Sequence, residues 1–225
     1  MGTLYLVRHG QASFGAANYD QLSALGQRQS HQLGRYFGAR ARQFDLVLTG
    51  TLARHSQTLD EIARGAQTRW PAQRHAGLNE YDSRAVIEAA AALGAPNPTA
   101  PISTDVRRDY VAQLRRGLLQ WMLGQIQPQG MPSWREFQQA IVDVLAVVRQ
   151  SGAQQVLLVS SGGPIACAIG HVLATPPEAT IELNLRLRNT SVTEFAFSPQ
   201  RCALQTFNTI THLDDSAFDG WITHL

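Results

Sequence analysis

Short apolar runs alternate with helical stretches along this chain, and that alternation constrains the architecture more than any other feature. Leu4-Tyr5-Leu6-Val7 is apolar, rich in β-formers and followed closely by a glycine, so it reads as a buried strand. Asp45-Leu46-Val47-Leu48-Thr49 and Val156-Leu157-Leu158-Val159-Ser160 are two more. Helical patterns separate them. One runs from about Ala24 to Arg42 behind Ser23 as N-cap, with Leu25, Leu33 and Phe37 on its apolar face. Others run from about Leu52 to Arg64, from Ser133 to Gln150, and onward from Gly162-Gly163-Pro164. The expected fold class is therefore α/β: a three-layer sandwich with a mostly parallel central sheet and helices on both faces. Val192 to Phe197 and Ala203 to Phe207 flank Ser198-Pro199-Gln200-Arg201 and read as a hairpin on the sheet edge.

Between about residues 81 and 133 the pattern changes. An alanine-rich helix from Ala85 to Leu93 leads to a Pro/Asn loop from Ala95 to Pro101. A further helix from about Thr104 to Gly124 carries apolar Val106, Tyr110, Leu114 and Trp121. This reads as a helical cap insertion over one end of the sheet, where loops and insertions on a rigid scaffold often shape a substrate site. With 225 residues, 44% of them hydrophobic, the chain suffices for one core with a large insertion, so residues 1–225 read as a single domain.

Composition removes several classes of function. All 19 basic residues are arginine, which excludes a P-loop lysine, a Schiff-base lysine and a lysine general base. The net charge is +2 and the arginines are interspersed with acids; pairs such as Arg107-Arg108 and Arg115-Arg116 read as a solvated helix face. The concentrated basic stripe of a nucleic-acid binder is missing, and no partner of that kind is expected. No stretch approaches the roughly 18 apolar residues of a membrane span, and no signal-peptide pattern begins the sequence. Cys167 and Cys202 fit no metal spacing; a reducing, cytoplasmic setting without a disulfide is expected.

Four places carry residues suited to phosphate chemistry, three of them just after expected strands. Arg8-His9-Gly10, with Gln11 and Ser13 beyond, follows the first strand. Strand ends of this kind border the crevice where open α/β sheets bind ligands. Arginine grips phosphate oxygens with a planar fork, and histidine is a nucleophile that is largely neutral near physiological pH. Arg54 lies in the first turn of the helix after the second strand, where anions are favoured. Glu80, in Leu78-Asn79-Glu80, is a carboxylic acid able to protonate a leaving alkoxide. Ser160-Ser161-Gly162-Gly163-Pro164 is a glycine turn whose successive N–H groups can form an anion nest. Taken singly, each has an ordinary alternative: a strand exit, a surface arginine, an exposed glutamate, a tight turn.

In combination and in this order, these residues resemble the histidine phosphatase superfamily, the group that includes phosphoglycerate mutases and histidine acid phosphatases. The resemblance rests on Arg8-His9-Gly10, Arg54-x-x-Gln57-Thr58, Leu78-x-Glu80 and the strand-Gly-Gly-helix turn near Gly162. It implies that His9 accepts the phosphoryl group and that Arg8 and Arg54 hold the phosphate oxygens. Gln11, Ser13, Ser161 and Gly162 are further candidates to line the phosphate. Glu80 would give a proton to the leaving oxygen. No metal or other cofactor is implied, because two guanidiniums can supply the charge stabilisation that phosphoryl transfer needs.

One position departs from the family. Most members carry a second histidine immediately before the glycines, and here that residue is Ser161. Serine keeps a neutral hydrogen bond but loses the charge, a change worth about 2–4 kcal/mol if felt only in the transition state. Other histidines offer no evident replacement. His171 lies ten residues along a helix, and His55 would point elsewhere than its neighbour Arg54. His212 qualifies only if the C-terminal tail folds back over the site, while His31, His75 and His224 read as surface residues. The resemblance implies a metal-independent phosphatase acting on a small phosphomonoester. The alternatives are a phospho-ligand binding protein of low turnover, motivated by Ser161, and, ranked last, a mutase. Oligomeric state and natural substrate are left open by the sequence.

Overall fold

The computed structural model describes residues 1–13, 20–94 and 106–224. Along them run β1 (Gly2–Arg8), α1 (Ala24–Ala39), β2 (Leu46–Thr49), α2 (Ala53–Gly65), β3 (Gln73–Arg74), α3 (Ser83–Ala92) and α4 (Val106–Met122). Then follow α5 (Trp134–Gln150), β4 (Gln155–Ser160), α6 (Gly162–Leu173), α7 (Pro177–Arg186), β5 (Val192–Phe197) and β6 (Cys202–Thr209). The strands form one sheet in the order β3-β2-β4-β1-β5-β6. β1 to β4 run parallel, and β5 joins β1 antiparallel with β6 outside it. The mostly parallel sheet and the edge hairpin are as expected.

Side-chain alternation along the central strands divides the interior into two layers. Leu4 and Leu6 of β1, with Val156 and Leu158 of β4, pack against Ile141, Leu145, Ile165 and Ile169 from α5 and α6. Tyr5 and Val7, with Leu157 and Val159, face Leu33, Phe37, Leu59 and Ile62 from α1 and α2. The region read as a cap does not keep a separate interior. Val86 and Ala90 of α3 and Leu114, Leu118 and Trp121 of α4 belong to the same buried cluster as the α5 side of the sheet. Arg115 of α4 also pairs with Glu182 of α7 at 2.7 Å. The loop from Ala95 to Pro101, the helix start at Thr104 and the Val106 side chain lie outside the described residues.

Local chemistry sets the element ends. The Ser23 hydroxyl accepts from the Gly26 amide at the start of α1, and Ser133 with Glu136 forms a capping box on α5. α1 stops at Ala39, three residues short of the Arg42 expected. Ala41 takes φ +48°, and the amides of Ala41 and Arg42 turn back to the carbonyls of Gly38 and Phe37. Two elements go beyond those the sequence pattern predicts: β3 has only two residues, too few to carry a pattern, and the helix-start signal for α7 is Pro177 in its first turn. Both cysteines are free, and no helix among the described residues is long and apolar enough to cross a membrane.

α1 and α2 touch backbone to backbone. A Cβ on Gly34 would lie 2.1 Å from the Ile62 carbonyl oxygen, and one on Gly65 2.1 Å from that of His31. Gly34→Val should therefore prise the helices apart and destabilise the fold by about 3 kcal/mol. A denaturant midpoint within 0.2 M of the parent, a change of about 0.5 kcal/mol or less, would refute this close packing.

Candidate active site

The parallel register brings three strand ends to one edge. Arg8 pairs with Ser160, and Thr49 with Val159. The next residues continue the alignment: the His9 amide donates to the Ser160 carbonyl at 2.8 Å, and the Gly50 amide to that of Val159 at 3.2 Å. The chain thus leaves β1, β2 and β4 into one crevice at their carboxyl ends.

His9 is buried in that crevice, and its Nδ1 lies 2.7 Å from the carbonyl oxygen of Gly10. A carbonyl only accepts, so the proton sits on Nδ1 and Nε2 keeps its lone pair. Burial holds the imidazole well below the usual histidine range; the charges of Arg8 and Arg54 lower it further. The result is a neutral ring nitrogen with a lone pair, suited to nucleophilic chemistry, under the field of two guanidiniums.

Both guanidiniums belong to buried residues. Arg8 donates to the Leu187 carbonyl. Arg54 forms an ion pair with Asp20 at 2.8 Å. The Asp20 carboxylate also accepts from the Ala53 and Arg54 amides, serving the start of α2 that Leu52, its N-cap residue, cannot satisfy with a side chain. Gln57 and Thr58 fasten the same helix. Gln57 Oε1 accepts from the Leu22 amide at 2.8 Å, while Thr58 Oγ1 accepts from the Gly10 amide at 3.0 Å and donates to the Arg54 carbonyl. These two residues lock α2 onto the loop that follows β1.

Glu80 arrives from the turn after Leu78, whose carbonyl accepts from Ser160 Oγ at 2.6 Å. Its two carboxyl oxygens accept from the Gly163 amide at 3.1 and 3.2 Å. Any Cβ on residue 163 would stand 2.2 Å from Oε1, so this approach requires glycine. Burial raises the Glu80 pKa, opposed by the Gly163 hydrogen bond and by Arg54 and Arg8. Both arginines thus act on Glu80 as well as on His9, and the four residues share one crevice.

His55 corrects the sequence reading. It does not point away from the crevice: Nε2 lies 2.6 Å from Ser161 Oγ, and its ring centroid is 5.7 Å from that of His9. Successive helical residues do diverge, but the first turn of α2 is buried on both sides, so Arg54 and His55 reach the crevice by different routes. The signal was available in the helical period, because His55 shares the inward stripe of Leu59 and Ile62.

The remaining candidates lie around this centre. Gly162 is the first residue of α6, directly after Ser161. The Gln11 carboxamide oxygen accepts from Ser23 Oγ and its amide donates to Gln29, which ties Gln11 to the start of α1. Ser13 is half-buried, with its amide bonded to the Gln21 carbonyl. His212 is buried behind the site, 2.9 Å from Thr190 Oγ1 and packed on Tyr36, and does not join the arginines. The tail nevertheless folds back: Thr223 Oγ1 donates to Asn189, and the Asn189 amide side chain donates to the His9 carbonyl. His171 is exposed in the last turn of α6, far from Ser161, and His31 pairs with Glu61.

What emerges is an α/β protein with its polar, cation-rich crevice at the carboxyl edge of a mostly parallel sheet. The chain belongs to the histidine phosphatase superfamily, branch 1, whose family model matches residues 4–90 and 103–210. It is 35% identical over 86 residues to a 2,3-bisphosphoglycerate-dependent phosphoglycerate mutase of Nitrobacter winogradskyi; the match spans 35% of this chain and 42% of that relative. Its fold is similar to that of an alpha-ribazole phosphatase from Shigella flexneri, with TM-score 0.63 and 19% identity over 92% of this chain and 96% of the other. It is also similar to a phosphoglycerate mutase from Bacillus anthracis, with TM-score 0.65 and 17% identity over 94% of each chain.

Proposed function

We propose that the protein is a metal-independent phosphatase that hydrolyses a small phosphomonoester through a phosphohistidine on His9. The observation that carries this reading is the His9 tautomer: the hydrogen bond to Gly10 leaves Nε2 unprotonated beside the charges of Arg8 and Arg54. In the first step Nε2 bonds to phosphorus and the phosphorus–oxygen bond to the leaving group breaks. Glu80 gives its proton to the departing oxygen, and its raised pKa suits that role. In the second step water attacks the phosphohistidine, Glu80 takes a proton from the water, the nitrogen–phosphorus bond breaks and inorganic phosphate leaves. The two guanidiniums balance the charge on the transferring group. On this reading the partner is a small phosphorylated molecule in the cytoplasm, and neither nucleic acid nor membrane takes part.

Quenching turnover in alkaline denaturant tests the scheme. Labelled phosphate should be trapped on His9 in acid-labile, base-stable form and should chase to inorganic phosphate. Glu80→Gln should slow formation of this species about 10²- to 10³-fold for an alkyl phosphate, and far less for p-nitrophenyl phosphate, whose leaving group needs little protonation. Turnover without any trapped phosphate, or equal losses for both substrates, would overturn the assignment of these two residues.

A further inference from the structure

We infer that His55 is a positioning residue of the phosphoryl site: its Nε2–H donates to Ser161 Oγ and so turns the serine proton toward the phosphoryl oxygens. This rests on the phosphatase reading and adds a pair of residues to it.

Three observations carry the inference. The first is the diversion of Ser161 from its local role. Ser161 is the N-cap residue of α6, yet it makes no capping hydrogen bond; the Gly163 amide, which an N-cap serine could receive, goes to Glu80 instead. Among the described residues the Ser161 hydroxyl bonds only to His55, at 2.6 Å.

The second is burial. Neither residue has any solvent exposure. A buried hydroxyl must find its partners within the protein or on a ligand, since leaving one unmet carries a large penalty. The His9 ring lies 5.7 Å from that of His55, so the pair borders the nucleophile.

The third is the tautomer. His55 Nδ1 is buried and has no hydrogen-bond partner among the described residues. It sits against Gly50, where a Cβ would come within 2.1 Å of it. A proton on Nδ1 would be a buried donor with nothing to receive it, whereas a lone pair there is the lesser loss. The proton therefore belongs on Nε2. Burial and Arg54 hold the ring neutral, with its pKa lowered to about 3. Ser161 then accepts from His55 and keeps its own proton to give. Hydrogen bonds in such a chain strengthen one another, so the pair offers a better donor than a lone serine. It supplies, uncharged and from two elements, a hydrogen bond at the position where the family resemblance expects a histidine.

Ser161→Ala and His55→Ala, made singly and together, test the pair through p-nitrophenyl phosphate kinetics and vanadate binding. Each single change should lower kcat by about 10- to 100-fold and weaken vanadate by a similar factor, with KM little altered. The double variant should be no worse than about threefold below the poorer single one, because the two act as a unit. His55→Gln fills the ring's space and keeps a donor, so it should recover part of the loss and remain folded if His55→Ala does not. The swap His55→Ala/Ser161→His should likewise regain activity. Kinetics and vanadate affinity within twofold of the parent in His55→Ala, or in His55→Gln together with Ser161→Ala if His55→Ala does not fold, would overturn the pairing. So would single losses that multiply in the double variant. If the parent does not turn over an aryl phosphate at all, the phosphatase reading fails by itself, and vanadate affinities across the same variants still decide the pair.

Discussion

His9→Ala is expected to lower kcat for an aryl phosphate by about 10⁴-fold or more, while inorganic phosphate or vanadate still binds within about tenfold of the parent. The two effects separate because different groups produce them. On the phosphatase reading, binding of the anion draws on Arg8, Arg54 and the start of α6, all of which the variant keeps. On that reading, covalent transfer draws on His9 Nε2, whose ring lies under the charges of both arginines. His55 is no substitute, since its Nε2 is engaged by Ser161 and its Nδ1 sits against Gly50. Steady-state kinetics and titration calorimetry on the purified variant check this. Equal turnover by parent and variant would remove His9 as the nucleophile.

Stability is expected to fall steeply as the pH drops from about 6.5. His55 and His212 are buried, and burial lowers both to a pKa of about 3; in the unfolded chain each would titrate near 6.5. Their folded values lie below their unfolded ones, so between those limits the unfolded chain binds more protons. Stability is complete above about pH 6.5 and is lost as the pH falls toward 3. Each imidazole contributes about 1.4 kcal/mol per pH unit across that window, and the two together nearly 3. His9, also held in the neutral form by burial, acts in the same direction. Glu80, with its raised pKa, opposes them. Set against the roughly 5–15 kcal/mol of a typical domain, this places acid unfolding at about pH 4 to 5. Urea titrations from pH 7.5 to 4.5 measure it, and His212→Gln should reduce the slope by about one proton. A flat profile between pH 7 and 5 would show that these rings are not held neutral by the fold.

The layered fold was legible because its central strands are short apolar runs with helices between them, and alternation along Leu4 to Val7 does supply both interior layers. The meeting of Arg8, His9, Arg54 and Glu80 was legible as an ordered set of motifs, not from any single one. His55 was missed for a definite reason. Adjacency to Arg54 suggests a different face, whereas the spacing to Leu59 and Ile62 turns His55 inward. Gln57 and Thr58 belong to the recognisable motif, yet their bonds to Leu22 and Gly10 show them bracing α2. A motif in a linear chain does not separate residues that touch a ligand from residues that hold an element in place. The contact between Glu80 and the Gly163 amide was equally hidden, since it depends on how far a loop leans over a helix start.

β1 lies in the middle of the sheet, yet both strands beside it are made much later, from residues 155–160 and 192–197. During synthesis the segment from Leu4 to Val7 therefore keeps two bare hydrogen-bonding edges until β4 and β5 have been made. Such a topology closes slowly and invites wrong pairing meanwhile. An amino-terminal fragment ending before β4 would carry His9 but have nothing to seat it on, so on the phosphatase reading competence is acquired only once β4 and β5 have joined the sheet.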